Sequence, residues 1–143
     1  MALIEWPGNL ALGIPRIDDQ HRTLVKIINQ LHESIVRGSV ENELEIIIDE
    51  LFAYSRLHFD DEMRYFREYN FPSADDHEKE HEKFARYVED IKANLAVNDK
   101  SKAIMLMYFL SAWFSKHIGQ EDHQLVRVAQ LIRASSFGHD HST

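Results

Sequence analysis

Apolar positions in this chain recur at three- and four-residue steps, not in the alternation of a strand. Ile17, Leu24, Val25, Ile28, Leu31 and Ile35 mark one helical face, with His21 among them and Gly38 closing the run. Ser39 reads as the cap of a second helix, with Glu41 and Glu43 in its acidic first turn. Its inner face is Leu44, Ile47, Leu51, Tyr54 or Ser55, His58, Glu62, Tyr65 and Tyr69. Asn70-Phe71-Pro72 breaks the pattern, because proline lacks a donor and disfavours helix at the residue before it. Ser73-Ala-Asp-Asp76 resembles a capping box and opens a third helix, with His77, His81, Phe84, Val88, Ile91 and Leu95 on one side. The turn Val97-Asn98-Asp99 leads to a fourth, with Ala103, Leu106, Leu110, Trp113 and His117 inward. A shorter amphipathic stretch, Leu125 to Ile132, follows Gly119.

The expected architecture is all-α: an up-down-up-down antiparallel four-helix bundle forming one domain over residues 1–143. An irregular arm covers 1–16, with Ile4, Trp6, Leu12 and Ile14 as apolar anchors. Helices are expected at about 18–37, 40–69, 74–96 and 99–118, then a short helix at about 121–133 and a loose polar tail at 134–143.

Antiparallel helices bring residues to one level when their distances from a shared loop match. His21 lies 17 residues before Gly38 and His58 lies 20 after it. His81 lies 16 residues before Val97 and His117 lies 20 after it. At about 1.5 Å per residue, all four helices carry a histidine to the same end of the bundle. His58 and Glu62 stand four apart, as do His77 and His81, so each pair shares one helical face. Asp122 stands five beyond His117, about 140° off its face on an unbroken helix. A bulge or break near Gly119 is therefore expected to return it to the cluster.

Seven residues then converge: His21, His58, Glu62, His77, His81, His117 and Asp122. A buried carboxylate is costly without a partner, and facing histidines gain little by packing; metal ions resolve both. Five imidazoles and two carboxylates are too many for one ion and suit two ions bridged by both acids. The imidazoles divide three and two, leaving an open position on one ion. Nitrogen and oxygen donors without thiolate fit iron, with manganese or zinc open on ligand type alone. An open position on a redox-active pair points to dioxygen, held or activated.

Composition narrows the setting. The 143 residues carry a net charge of −8, which disfavours a nucleic-acid surface or an anionic membrane as partner. No apolar run reaches the length of a membrane span, and the N-terminus MALIEWPGNL has no signal-peptide pattern, so a cytoplasmic setting is expected. The absence of cysteine excludes disulfides, iron–sulfur clusters and thiolate zinc. Phosphate-loop and dinucleotide fingerprints are absent too.

The sequence resembles the haemerythrins, in particular the single-domain bacterial form, from about Trp6 to Leu125. The motifs are Ile17-Asp18-x-Gln20-His21, His58-Phe59-x-x-Glu62, His77-x-x-x-His81 followed by Phe84, and Trp113-x-x-x-His117-Ile118-x-x-x-Asp122. The resemblance implies two non-haem irons with a bridging oxo or hydroxo group and reversible O2 binding in a prokaryotic cytoplasm. By the family's pattern His77, His81 and His117 hold the complete iron, His21 and His58 the open one, and Glu62 and Asp122 bridge. Leu24, Phe59, Trp113, Phe114 and Ile118 fall where the family lines its oxygen pocket, and small anions such as azide compete there. Met63 departs from relatives with a second acid after Glu62, but that position is not a ligand.

Plainer readings apply to single residues. A lone inward histidine is usually core, and His32, 11 residues beyond His21, is too far along the bundle to reach the centre. His123 reads as an outer or surface residue, and His139 and His141 as tail. Asp60, Asp61, Asp75, Asp76, Glu78 and Glu80 read as solvated faces or caps. Ferritin-like oxidases need two Glu-x-x-His motifs, and this chain has one such string, Glu78-Lys-Glu-His81. A histidine-rich site is less electron-rich, which favours a carrier over an oxygenase. The expected function is O2 carriage, storage or delivery to an oxygen-consuming enzyme. An oxygen or redox sensor and a di-iron peroxidase or nitric oxide-consuming enzyme are the alternatives.

Overall fold

The computed structural model describes residues 13–96, 99–117 and 123–141, with the side chains of 123 and 135–141 outside that description. Among the described residues the chain is all-α, with five helices and no strand. These are α1 (Pro15–Arg37), α2 (Val40–Glu68), α3 (Ala74–Ala93), α4 (Lys100–Lys116) and α5 (His123–His141).

α1 starts earlier than the apolar periodicity alone suggests. Pro15 occupies the first turn, where its fixed φ suits a helix and its missing N–H costs nothing. Asp18, buried, accepts the backbone N–H of Gly13 at 3.2 Å and ties the incoming chain to that turn. Gly38 ends α1 in the left-handed conformation, φ 73°, and Ser39 N–H reaches back to Ser34 O at 2.9 Å. Asn70 does the same after α2, with φ 56° and Phe71 N–H closing on Phe66 O at 2.9 Å.

Two expected caps do not form. The hydroxyl of Ser39 donates to Glu43 at 2.9 Å and makes no cap bond. Ser73 donates to Gln124 on α5, so the capping box at α3 is not made. Asp99 caps α4 instead, accepting Lys102 N–H at 3.1 Å. α5 continues to His141, past the expected end at 133 and through the stretch read as a tail. No proline interrupts that stretch, and Gly138 costs a helix only about 1 kcal/mol.

Contacts run in opposite sense along consecutive helices. His21 near the start of α1 meets His58 late in α2, whereas Ser34 near its end meets Glu43 early in α2. Phe66 packs on His77 at one end of the α2–α3 pair, and Asp49 takes Lys92 at 2.8 Å at the other. Along α3 and α4, His81 faces His117 and Phe84 faces Phe109.

Among the described residues the interior holds two apolar clusters. The larger includes Leu24, Ile28, Leu31, Ile48, Leu51, Phe84, Leu106 and Leu110. The smaller is Ile14, Ile17, Phe66, Ala74, Leu125, Val128 and Ala129. On α1, α2 and α3 the candidate ligands fall between residues of the two clusters, so a polar layer separates them. At the end of α2 it is Phe66 that turns fully inward, while Tyr65 and Tyr69 pack half-buried beside it. Among the described residues no helix is long and apolar enough to cross a membrane.

Candidate metal centre

Each of the first four helices delivers donors to one level. α1 supplies His21, α2 supplies His58 and Glu62 one turn apart, and α3 supplies His77 and His81 one turn apart. His117 comes from the C-terminal cap of α4, with its N–H bonded back to Trp113 O and Phe114 O. All six residues are buried, none more than 5% exposed. Ring centroids of His21 and His58 are 4.8 Å apart, His58 and His117 5.5 Å, and His81 and His117 5.8 Å.

Glu62 stands at the centre, and its two oxygens face different partners. Oε2 lies 2.9 Å from His58 Nε2 and 3.0 Å from His117 Nε2. Oε1 lies 3.4 Å from His81 Nε2 and 3.8 Å from His77 Nδ1. Donor atoms of His21, His58, Glu62 and His117 fall within 4.8 Å of one another, as do those of Glu62, His77 and His81. The carboxylate thus belongs to both groups. His117 Nε2 lies beside Oε2, while its ring centroid is 5.8 Å from that of His81, so it stands within reach of both groups.

Aromatic rings fix the imidazole planes. Tyr54 lies parallel to His58 at 5.3 Å, Phe59 to His81 at 3.9 Å, Phe66 to His77 at 4.3 Å and Trp113 to His117 at 4.9 Å. Burial pushes His21 down to about 2, helped by the nearby His58 and His117, and burial likewise lowers His58. Burial opposes ionisation of Glu62, yet the adjoining His117 and His58 hold its carboxyl well below the ordinary range.

This donor set fits metal ions. His58 Nδ1 is 2.9 Å from the side-chain amide oxygen Oε1 of Gln20, so that nitrogen carries the hydrogen and Nε2 of the neutral ring carries a lone pair. That lone pair faces the Glu62 carboxylate at 2.9 Å, and two acceptors at that distance repel unless a cation joins them. Ligands about 2.1 Å from one ion and at right angles stand roughly 3 Å apart. Glu62 Oε1 and both ring nitrogens of His81 are also buried without a hydrogen bond.

A profile of the Hemerythrin HHE cation binding domain matches residues 12–129. The chain belongs to the hemerythrin family. A Bacteriohemerythrin of Stenotrophomonas maltophilia (strain R551-3) is 33% identical over 126 residues, 85% of this chain and 78% of that protein. One from Pseudomonas aeruginosa (strain LESB58) is 31% identical over 147 residues, 96% of this chain and 92% of that protein. One from Clostridium acetobutylicum is 29% identical over 125 residues, 85% and 97% of the two chains. Hemerythrin membership carries a non-haem iron site, and the six converging donors are where this chain can provide it.

The remaining expectations divide. Phe59 and Trp113 pack beside the histidines, with Leu24 and Phe114 buried in the same apolar cluster. Asp122, Ile118, the break near Gly119, the anchors Ile4, Trp6 and Leu12, and the side chains of His123, His139 and His141 lie outside the described residues. His32 is absent from both donor groups. Asp61 corrects the sequence reading: it is buried, 7% exposed, and bonded to Gln20 and Arg16. The turn of helix that presents Glu62 carries its neighbour against α1. The sequence signal for Gln20 is its place one turn beyond Ile17 on a buried stripe of α1.

Proposed function

We propose that the chain binds O2 reversibly at two non-haem irons held by His21, His58, Glu62, His77, His81 and His117, with Asp122 as the second bridging acid. The observation that carries this is the orientation of Glu62, with one oxygen toward His58 and His117 and the other toward His81 and His77. A carboxylate so placed could hold an ion at each oxygen, one shared with His58 and the other with His81. A ferrous pair supplies the electrons that bind dioxygen reversibly.

The chain's own residues do the rest. The depressed basicity of His21 and His58 keeps their lone pairs available at neutral pH. Phe59, Trp113, Leu24 and Phe114 keep bulk water from the histidines. On the outside, a groove of about 730 Å³ between α2 and α3, with Phe52 and Ser55 in its walls, reaches Phe59, whose ring stacks on His81.

The test is to load the chain with ferrous iron without air, admit O2, and then remove it while recording the visible spectrum. Colour that appears and vanishes with two irons per chain supports the proposal. Irreversible oxidation at the first exposure moves the reading to a sensor or an enzyme. A chain that stays colourless and holds only zinc after iron loading refutes the dioxygen reading.

A further inference from the structure

Three side chains outside the ligand set form a line that ends on His58. Arg16 Nε donates to Asp61 Oδ2 at 2.5 Å, and Gln20 Nε2 donates to the same oxygen at 2.6 Å. Gln20 Oε1 then meets His58 Nδ1 at 2.9 Å. Gln20 and Asp61 are each 7% exposed and His58 is fully buried, so water does not compete for these atoms.

Chemistry gives the line one direction. Asp61 Oδ2 receives both the Arg16 Nε–H and the Gln20 amide N–H, and the Arg16 cation pairs with it, so Asp61 is the acceptor end of the line. A carboxylate only accepts, so Gln20 must turn its NH2 toward Asp61 and its oxygen toward His58. An amide oxygen only accepts as well, so the hydrogen of the neutral imidazole sits on Nδ1. The lone pair is then on Nε2, the atom that faces Glu62 and His117. With the amide reversed, its NH2 would face Nδ1, the hydrogen would move to Nε2, and that nitrogen could no longer bind a metal.

We infer that Asp61, braced by Arg16, is a positioning residue that sets the tautomer of His58 through the Gln20 amide. The inference rests on the proposed metal site for its purpose, while the direction of the line rests on hydrogen-bond geometry alone. α1 and α2 each contribute two consecutive residues, Gln20-His21 and Asp61-Glu62, one to the outer line and one to the centre.

The experiment reads the tautomer in the full-length, metal-free chain labelled with 15N-histidine, from long-range nitrogen–proton correlations assigned by comparison with His58→Gln. Wild type should show His58 with its hydrogen on Nδ1. Asp61→Asn removes the obligate acceptor, because the new amide can present either end to Gln20, and His58 should become a mixture of the two forms. The double variant Gln20→Glu/Asp61→Asn should restore the single form. Its new carboxylate accepts from His58 on one side and from the position-61 amide on the other, which a purely structural role for Asp61 does not predict. Should Asp61→Asn fail to fold by circular dichroism, Gln20→Met asks the same question, since it deletes the acceptor at Nδ1 directly. Iron retention against a competing chelator should fall about 10-fold or more in Asp61→Asn and recover in the double variant. A wild-type His58 with hydrogen on Nε2, or a folded Asp61→Asn chain with an unchanged tautomer, overturns the inference. The tautomer is read without metal, so a failed dioxygen assay leaves this result standing, and a successful one does not rescue it.

Discussion

Acid should destabilise the metal-free chain before its carboxylates titrate, and His21 sets the scale of the effect. In the folded chain burial pushes His21 down to about 2, whereas in the unfolded chain it takes up a proton near pH 6.5. Between those values the unfolded state binds one proton more than the native state, so stability rises with pH and falls as acid is added. The contribution is fully present above about pH 6.5 and drains away below it, by about 1.4 kcal/mol per pH unit once the unfolded histidine is mostly protonated. From pH 7 to pH 5 the loss from His21 alone is about 2 kcal/mol, a large part of the roughly 5–15 kcal/mol that holds a domain together. His58 is lowered by the same burial and steepens the slope further. Urea titrations followed by circular dichroism at pH 7, 6 and 5 measure this directly. His21→Leu, similar in volume and unable to take a proton, should lose one proton's worth of slope whatever its absolute stability. A wild-type stability that is flat from pH 7 to 5, or a slope that His21→Leu leaves unchanged, would refute the reasoning.

Other expectations follow from single contacts. Glu62→Gln replaces a carboxylate that accepts at both ends with an amide that accepts at one, so metal content by atomic absorption should fall by at least half; full loading would contradict a shared bridge. His32→Ala should leave metal content unchanged, because His32 belongs to neither donor group, and loss of metal would show that the axial register is wrong. Phe66 is fully buried and stacked on His77 at 4.3 Å, so Phe66→Ala should cost about 3–5 kcal/mol in chemical denaturation. A cost under about 1 kcal/mol would mean that the smaller apolar cluster collapses around the gap.

Helix periods and loop-to-residue distances were enough to bring His21, His58, Glu62, His77, His81 and His117 to one height, because helical rise is nearly constant and the turns at Gly38 and Asn70 are short. Those turns were legible for physical reasons: glycine tolerates the left-handed conformation that ends a helix, and Pro72 cannot continue one. The caps were not, because Ser39 and Ser73 had alternative partners in Glu43 and Gln124, and the second of these lies 51 residues away in sequence. Asp61 was misread for a related reason. Charge in a run such as Asp60-Asp61-Glu62 suggests solvent, and only the rotation of α2 against α1 decides which of the three turns inward.

The adjacency of Gln20 with His21, and of Asp61 with Glu62, has a bearing on transplanting such a site into another scaffold. Neighbours on a helix diverge by about 100°, so each pair pins its helix against both sliding and spinning, much as two teeth of a key do. A graft that carried over His21 and Glu62 alone would keep the donors and lose the wards that orient them. The smallest portable unit is the dipeptide.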